Sequence, residues 1–185
     1  APFTTSTLQQ EASRKLRLSV SQTMRVAQAL YERGIITYMR TDSVNLSSMA
    51  IAKAKSYICE NFGENFSKVR KYKTNSRNAQ EAHEAIRPTD LSLPQIEGTA
   101  QEKSLYNLIW KRTIASQMAD AKVLKTDIKI SSDKREETYS LQASEVLFDG
   151  FLKLYMGNSE ELGQEEELIL PEILEGCGMT MLRTD

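Results

Sequence analysis

The chain has 185 residues, 40% of them apolar, enough to bury a real core in one large domain or two small ones. Its apolar runs are short and the opening APFTTSTLQQ has neither a basic n-region nor a hydrophobic h-region, so neither a membrane span nor a signal peptide is expected. The net charge of −1 hides a division: Lys and Arg outnumber Asp and Glu 18 to 11 in residues 1–122, and are outnumbered 14 to 6 in residues 123–185. That asymmetry points to a polyanion-facing first part and an acidic second part that faces solvent or a basic neighbour. The expected location is cytoplasmic. The first residue is not methionine, and the expectation is a piece of a longer polypeptide. Cys59 and Cys177 fit no metal-ligand spacing and are read as reduced thiols without an assigned role.

In chain order, Thr7 with Gln10 three residues on is a candidate helix cap, followed by Leu8, Ala12 and Leu16 on one helical face. Ser19 with Gln22 forms a second capping box, and the helix it opens runs through Met24, Ala27 and Tyr31 to Gly34. Two helices with a tight turn, followed by IITYMR as a strand, predict helix-turn-helix (CAP-like) character. In an extended chain residues i and i+2 point to one side, so within GIITYMRTDS the Tyr38 phenol and the Arg40 guanidinium emerge together. Such a pair suits a phosphate; the alternative is a strand tyrosine beside a solvated arginine.

A third helix from Ser47 carries Ile51, Ile58 and Phe62 and stops at Gly63. Residues 65–80 then hold Lys68, Arg70, Lys71, Lys73 and Arg77 around Tyr72 with no acid among them. Such a loop suits a single-stranded backbone with a stacked base, or is simply solvated. AQEAHEAIRP is predicted as two helical turns closed by Pro88, with His83 and Arg87 on one face. Thr99 and Glu102 cap a long helix bearing Leu105, Ile109, Trp110, Ile114 and Met118, with Trp110 in the core.

Near Lys122 the period changes to alternation. VLKTDIKI, TYSLQAS and FDGFLKLY are predicted as strands, with Asp149 and Gly150 as a turn or bulge, and NSEELGQEEEL as an acidic connector. One or two short strands are expected around Pro171. The fold class is therefore α+β, a helical domain over 1–122 followed by a β-rich segment over 123–185.

A phosphodiester can be opened by a side-chain nucleophile, and a phosphotyrosine ester keeps the phosphate activated for resealing without ATP. A phenol needs nearby positive charge to favour phenolate and to offset charge on the attacked phosphate, which Arg40 can supply. His83 and Arg87 can hold neighbouring phosphate oxygens, and Thr41 and Ser43 can donate hydroxyls. Other chemistries find less support. His83 and Glu84 begin a zincin-like pattern, but position 87 is arginine and the chain has no other histidine. No glycine-rich phosphate loop, no Gly-x-Ser-x-Gly elbow and no Asp-x-Asp pair is present.

The blocks PFTTSTLQQEAS, TMRVAQALYE, GIITYMRTDS, AQEAHEAIRPTD and LYNLIWKRTIASQM together resemble the type IA DNA topoisomerases, in the bacterial topoisomerase I branch rather than topoisomerase III. The resemblance covers most of residues 2–122, with weaker agreement through FDGFLKLY. It implies that Tyr38 is the nucleophile that joins the 5′ phosphate of a cleaved strand, with Arg40 supporting that phosphate. It further implies DNA contacts at His83 and Arg87, and a strand path lined by Thr4, Thr5, Ser6 and Gln9 together with Thr41, Asp42 and Ser43. The implied activity is ATP-independent relaxation of negatively supercoiled DNA. The implied Mg2+ is held by a Toprim domain that nothing in these residues matches, so the chain alone is expected to be inactive. Residues 123–185 resemble part of the family's β-rich arch, cut short, whose exposed edges allow a dimer. Expected partners are DNA, mainly single-stranded, and the remaining domains of the same polypeptide, and the expected location is with the nucleoid. The competing expectations are a non-catalytic module for single-stranded nucleic acid, in which Tyr38 only packs, and a structural interaction domain.

Overall fold

A computed structural model describes residues 1–72, 84–131, 138–156, 176 and 178. Among the described residues, four α-helices and a two-stranded antiparallel sheet make an α+β fold: α1 (Thr5–Leu16), α2 (Val20–Glu32), α3 (Ser48–Phe62), α4 (Ala100–Ala115), β1 (Lys122–Ser131) and β2 (Thr138–Phe148).

The helix starts follow from side-chain oxygens that satisfy otherwise orphaned amides. Ser19 with Gln22 and Thr99 with Glu102 form reciprocal capping boxes as predicted, and Ser47 caps α3. For α1 the expectation is corrected, since the cap is Thr4 with Thr7 as its partner, not Thr7 with Gln10. Four hydroxyl residues in a row offer several caps. The one used is the residue whose successor is held by Thr41, through a Thr5 N–H to Thr41 carbonyl bond of 2.9 Å. At the end of α2, Gly34 sits at φ 69, where a side chain would be strained, and the chain turns back toward the core.

The core lies among the helices. Leu8 and Ala12 of α1, Ala27 and Leu30 of α2, Ala54 and Ile58 of α3, and Leu105, Ile109 and Ile114 of α4 are fully buried together. Trp110 belongs to this core as predicted, with its indole N–H donated to the Leu91 carbonyl at 3.0 Å and its ring edge-on to Tyr57. Tyr106 is buried with its hydroxyl donated to the Leu93 carbonyl at 2.6 Å, and burial with the nearby Asp90 charge pushes its pKa up to about 12.

Three predicted elements differ. IITYMR is not a ladder strand: only Ile36 bridges, antiparallel to Pro88. The described end of AQEAHEAIRP, residues 84–88, is extended rather than helical, because Ile86 bridges Phe3 and Pro88 bridges Ile36. FDGFLKLY is not a strand beyond Phe148; Gly150–Leu154 is a 3-10 turn. A Cβ at Gly150 would lie 2.5 Å from the carbonyl carbon of Asp120 and 2.6 Å from both Ala119 O and Ala121 N, so the two legs of the ribbon touch there.

β1 and β2 pair from Lys122 opposite Phe148 to Ser131 opposite Thr138, with one irregularity between Lys122 and Val123. Most of their residues are exposed on both faces. The acidic connector, the strands expected near Pro171, Cys177 and His83 lie outside the described residues.

Candidate functional site

Three distant stretches meet around residues 34–45. On one side, Thr5 at the start of α1 donates its hydroxyl to the carbonyls of Met39 (2.8 Å) and Thr41 (3.0 Å), and accepts from the Thr41 N–H at 2.9 Å. On the other, the Thr37 hydroxyl donates to the Ala85 carbonyl at 2.7 Å and accepts from the Arg87 N–H at 3.0 Å, while the Thr37 N–H donates to the Arg87 carbonyl at 2.9 Å. Thr89 closes the lower end through its hydroxyl and N–H to Gly34 and Ile35 carbonyls. The backbone on both flanks of residue 38 is thereby fixed by bonds to segments more than 30 residues away in sequence. Sequence spacing alone left that convergence open.

The segment forms no ladder, yet it keeps the two-residue alternation of an extended chain. Met39, Thr41 and Ser43 are buried, whereas Tyr38, Arg40 and Asp42 are exposed. Met39, at 1% exposure, anchors the chain in the core, and its neighbours must then face outward. Tyr38 is 43% exposed and meets the ring of Tyr31 edge-on, with centroids 5.2 Å apart and planes at 63°. Among the described residues Arg40 takes no hydrogen-bond or ion-pair partner, so its guanidinium is available to an anion. The N-terminal end of α1, with no acidic residue in its first turn, abuts the same segment and adds the partial positive charge of a helix start.

The remaining predicted residues divide by exposure. Ser6 is exposed and Thr4 and Gln9 are half-buried on α1 and its cap. Thr41 and Ser43 point inward, and their hydroxyls brace the turn: Thr41 Oγ1 accepts from the Ser43 N–H at 3.0 Å, and Ser43 Oγ from the Asn45 N–H at 3.1 Å. Arg87 is drawn to the site but committed to Glu84, with Nη2 at 2.5 Å and Nε at 3.1 Å from the same carboxylate oxygen, and Nη1 on the Pro88 carbonyl at 2.9 Å. Burial opposes ionisation of Glu84, but hydrogen bonds from Arg87 and Ser47 outweigh it and hold the carboxyl below its ordinary value. Thr37 and Tyr31 were not expected at the site, and Glu84 was weighed only as part of a zincin-like pattern. Glu84 and Arg87, three apart, carried a readable signal; the other two depend on how the chain turns at Gly34.

Residues 65–72, the described part of the basic loop, are less free than their composition suggests, and Lys73 and Arg77 lie outside the described residues. Lys68 and Arg70 both pair with Asp120, at 2.7 and 2.6 Å, and Arg70 also donates to the Met118 carbonyl. The Tyr72 hydroxyl donates to the Ser116 carbonyl at 3.0 Å. These side chains secure residues 68–72 to the end of α4.

The DNA topoisomerase family model matches residues 1–184. DNA topoisomerase 1 of Synechococcus elongatus is 49% identical over 183 residues, which cover 95% of this chain and 20% of that protein. DNA topoisomerase 1 of Zymomonas mobilis is 46% identical over 168 residues, 90% of this chain and 14% of that protein. The solved structure of full-length topoisomerase I from Thermotoga maritima superposes with a TM-score of 0.71 at 38% identity, over 83% of this chain and 26% of that one. The chain thus spans about a fifth of the length of the relatives it matches. With the family model covering the chain almost from end to end and close to half of the residues shared with such relatives, this chain belongs to the DNA topoisomerase family.

Proposed function

We propose that the chain supplies the tyrosine-bearing part of a type IA DNA topoisomerase, an isomerase that relaxes negatively supercoiled DNA through a transient single-strand break. The observation that carries this reading is the exposed Tyr38 and Arg40 on a segment whose backbone is pinned on both flanks. In the forward step the Tyr38 oxygen attacks the scissile phosphorus, a phosphotyrosine ester forms, and the bond from phosphorus to the 3′ oxygen of the neighbouring nucleotide breaks. The phenolic proton ends on that 3′ oxygen, and religation runs the same steps in reverse. Arg40 offsets charge on the phosphate as it is attacked. Arg87 reaches a nearby phosphate through the N–H groups not spent on Glu84 and Pro88, and His83 is a second DNA contact in this reading. Ser6, Thr4, Gln9 and Asp42 line the strand path, while Thr5, Thr41 and Ser43 hold it in shape.

Among the described residues no group of three or more His, Cys, Asp or Glu side chains could hold a metal ion. The described residues do not fit a Mg2+ site, and in this reading the ion is bound by another domain of the polypeptide. Residues 1–122 form the helical domain, with α1 and α2 as its helix-turn-helix corner, and residues 123–185 belong to the arch. The open edges of the ribbon pair with the remaining domains, or with a second copy when those are missing. No described helix is long and apolar enough to cross a membrane, and the work is done where the nucleoid is, on DNA that is mainly single-stranded at the cut.

The test is Tyr38→Phe in a polypeptide that carries this chain with its remaining domains. Loss of the covalent adduct to end-labelled single-stranded DNA in a denaturing gel, with binding by fluorescence anisotropy retained, is the expected result. An adduct that survives the substitution removes Tyr38 as nucleophile and leaves the chain a binding module.

A further inference from the structure

The backbone around Tyr38 is fixed, but a fixed backbone does not orient a side chain. Thr37 is held by the Ala85 and Arg87 carbonyls and the Arg87 N–H, and the Met39 carbonyl by the Thr5 hydroxyl, so the Cα of residue 38 has a defined place. The phenol itself projects from that place with 43% of its residue surface open to solvent. The one ring packed against it among the described residues is that of Tyr31, edge-on at 5.2 Å.

Tyr31 is no floating neighbour. It stands on the last turn of α2, and its carbonyl accepts the Gly34 N–H at 2.8 Å, while the Leu30 carbonyl accepts the Ile35 N–H at 3.0 Å. Leu30 beside it is fully buried. The left-handed turn at Gly34 then folds the chain back so that residue 38 returns to residue 31. Tyr31 is itself 39% exposed and so contributes little to the core, which makes its contact with Tyr38 the more informative.

Resting on the reading of Tyr38 as nucleophile, we propose that Tyr31 is a positioning residue for the reaction. Its ring restricts the torsions of Tyr38, so that the phenolic oxygen is presented beside Arg40 instead of sweeping a cone above the surface. The contact is between ring edge and ring face, which needs an aromatic at position 31 and not its hydroxyl. In the near-attack view of catalysis, such restriction raises the rate of the bond-forming step without adding to DNA affinity.

The experiment measures single-turnover adduct formation at saturating labelled single-stranded DNA in the polypeptide with its remaining domains, for Tyr31→Ala and Tyr31→Phe. DNA affinity and the urea unfolding midpoint are recorded for each. Tyr31→Ala is expected to slow adduct formation between about 2-fold and about 13-fold, the span that corresponds to an edge-to-face pair of about 0.5–1.5 kcal/mol. Its DNA dissociation constant stays near that of the parent, its unfolding midpoint falls by no more than the loss of one ring contact, and Tyr31→Phe restores the parent rate. A parent-like rate in Tyr31→Ala overturns the proposal, as does a loss in Tyr31→Phe equal to that in Tyr31→Ala. So does a fall in rate matched by a fall in DNA affinity, or one no larger than in an equally destabilised core variant such as Ile58→Val. Tyr38→Phe run alongside separates the two failures: an adduct that persists there defeats the nucleophile assignment, whereas an adduct lost there and unaffected by Tyr31→Ala defeats only the positioning role.

Discussion

Ile109 and Ile114 on α4 are fully buried, whereas Val123, Leu124, Tyr139 and Leu141 on the ribbon stand in solvent, although both regions carry their share of apolar side chains. The candidate site belongs to the first kind of region. Its exposed face, Tyr38 and Arg40, rests on Met39 and Ile36, which are as buried as any core residue. The ribbon instead has backbone pairing without a covered face, the state in which a two-stranded sheet contributes little stability of its own. The candidate site thus stands on the part of the chain whose own packing can fix the place of a side chain.

The sharpest way to break that contrast is a matched pair of truncations. Ile109→Ala should cost about 2–5 kcal/mol in urea denaturation, because it leaves a cavity in a packed core. Thr5→Val comes next, since it strips the hydroxyl from the Met39 and Thr41 carbonyls and from the Thr41 N–H. A loss of about 1–3 kcal/mol is expected there, with slower adduct formation than an equally destabilised core variant such as Ile58→Val. Equal rates in the two would deny the pinned segment any role beyond stability.

Acid gives a smaller effect with a defined sign. The Glu84 carboxyl is held below its ordinary value of 4.5 in the folded chain, so its contribution is complete above that pH and is lost as pH falls through the lowered folded value. Asp90, Glu102 and Asp120 are lowered as well, by hydrogen bonds from Ser92, Thr99 and Lys68 respectively as the leading causes. The informative quantity is therefore the difference between parent and Glu84→Gln, which should shrink as the solution is taken from neutral pH to well below 4.5. The smallest effect should come from the ribbon: Leu141→Ala is expected to stay within about 0.5 kcal/mol. A cost like that of Ile109→Ala would mean that the ribbon is packed in solution in a way that its exposure does not suggest.

Local rules carried the helices. Ser19 with Gln22, Thr99 with Glu102, Gly34 and Gly63 marked boundaries that depend only on a few neighbouring residues, and the structure has them where the pattern predicts. The two-residue alternation through Tyr38 and Arg40 was also readable, because it needs only an extended backbone and one buried anchor. What failed depended on distant partners. Residues 84–88 carry spacing compatible with a helix, but their amides and carbonyls are taken by Phe3, Thr37 and Asn45, and such pairing outweighs local propensity. The end of FDGFLKLY alternates like a strand, yet the contact of Gly150 with residues 119–121 forces a tight turn. The Tyr31 and Tyr38 pair was hidden for a related reason: seven residues apart, they meet only because Gly34 reverses the chain.

The absent side chain at Gly150 has a mechanical consequence. Since Gly150 and residues 119–121 leave no room between them for one methyl group, the ten residues of β1 form an arm of about 33 Å that springs from a narrow neck, with Phe148 packed on Phe66 beside it. A load at its tip reaches the helices at Ala119 and Asp120, where Lys68 and Arg70 are moored. Torque on the arm would be delivered to the segment that follows α4, and a bulkier residue at position 150 would pry that neck apart.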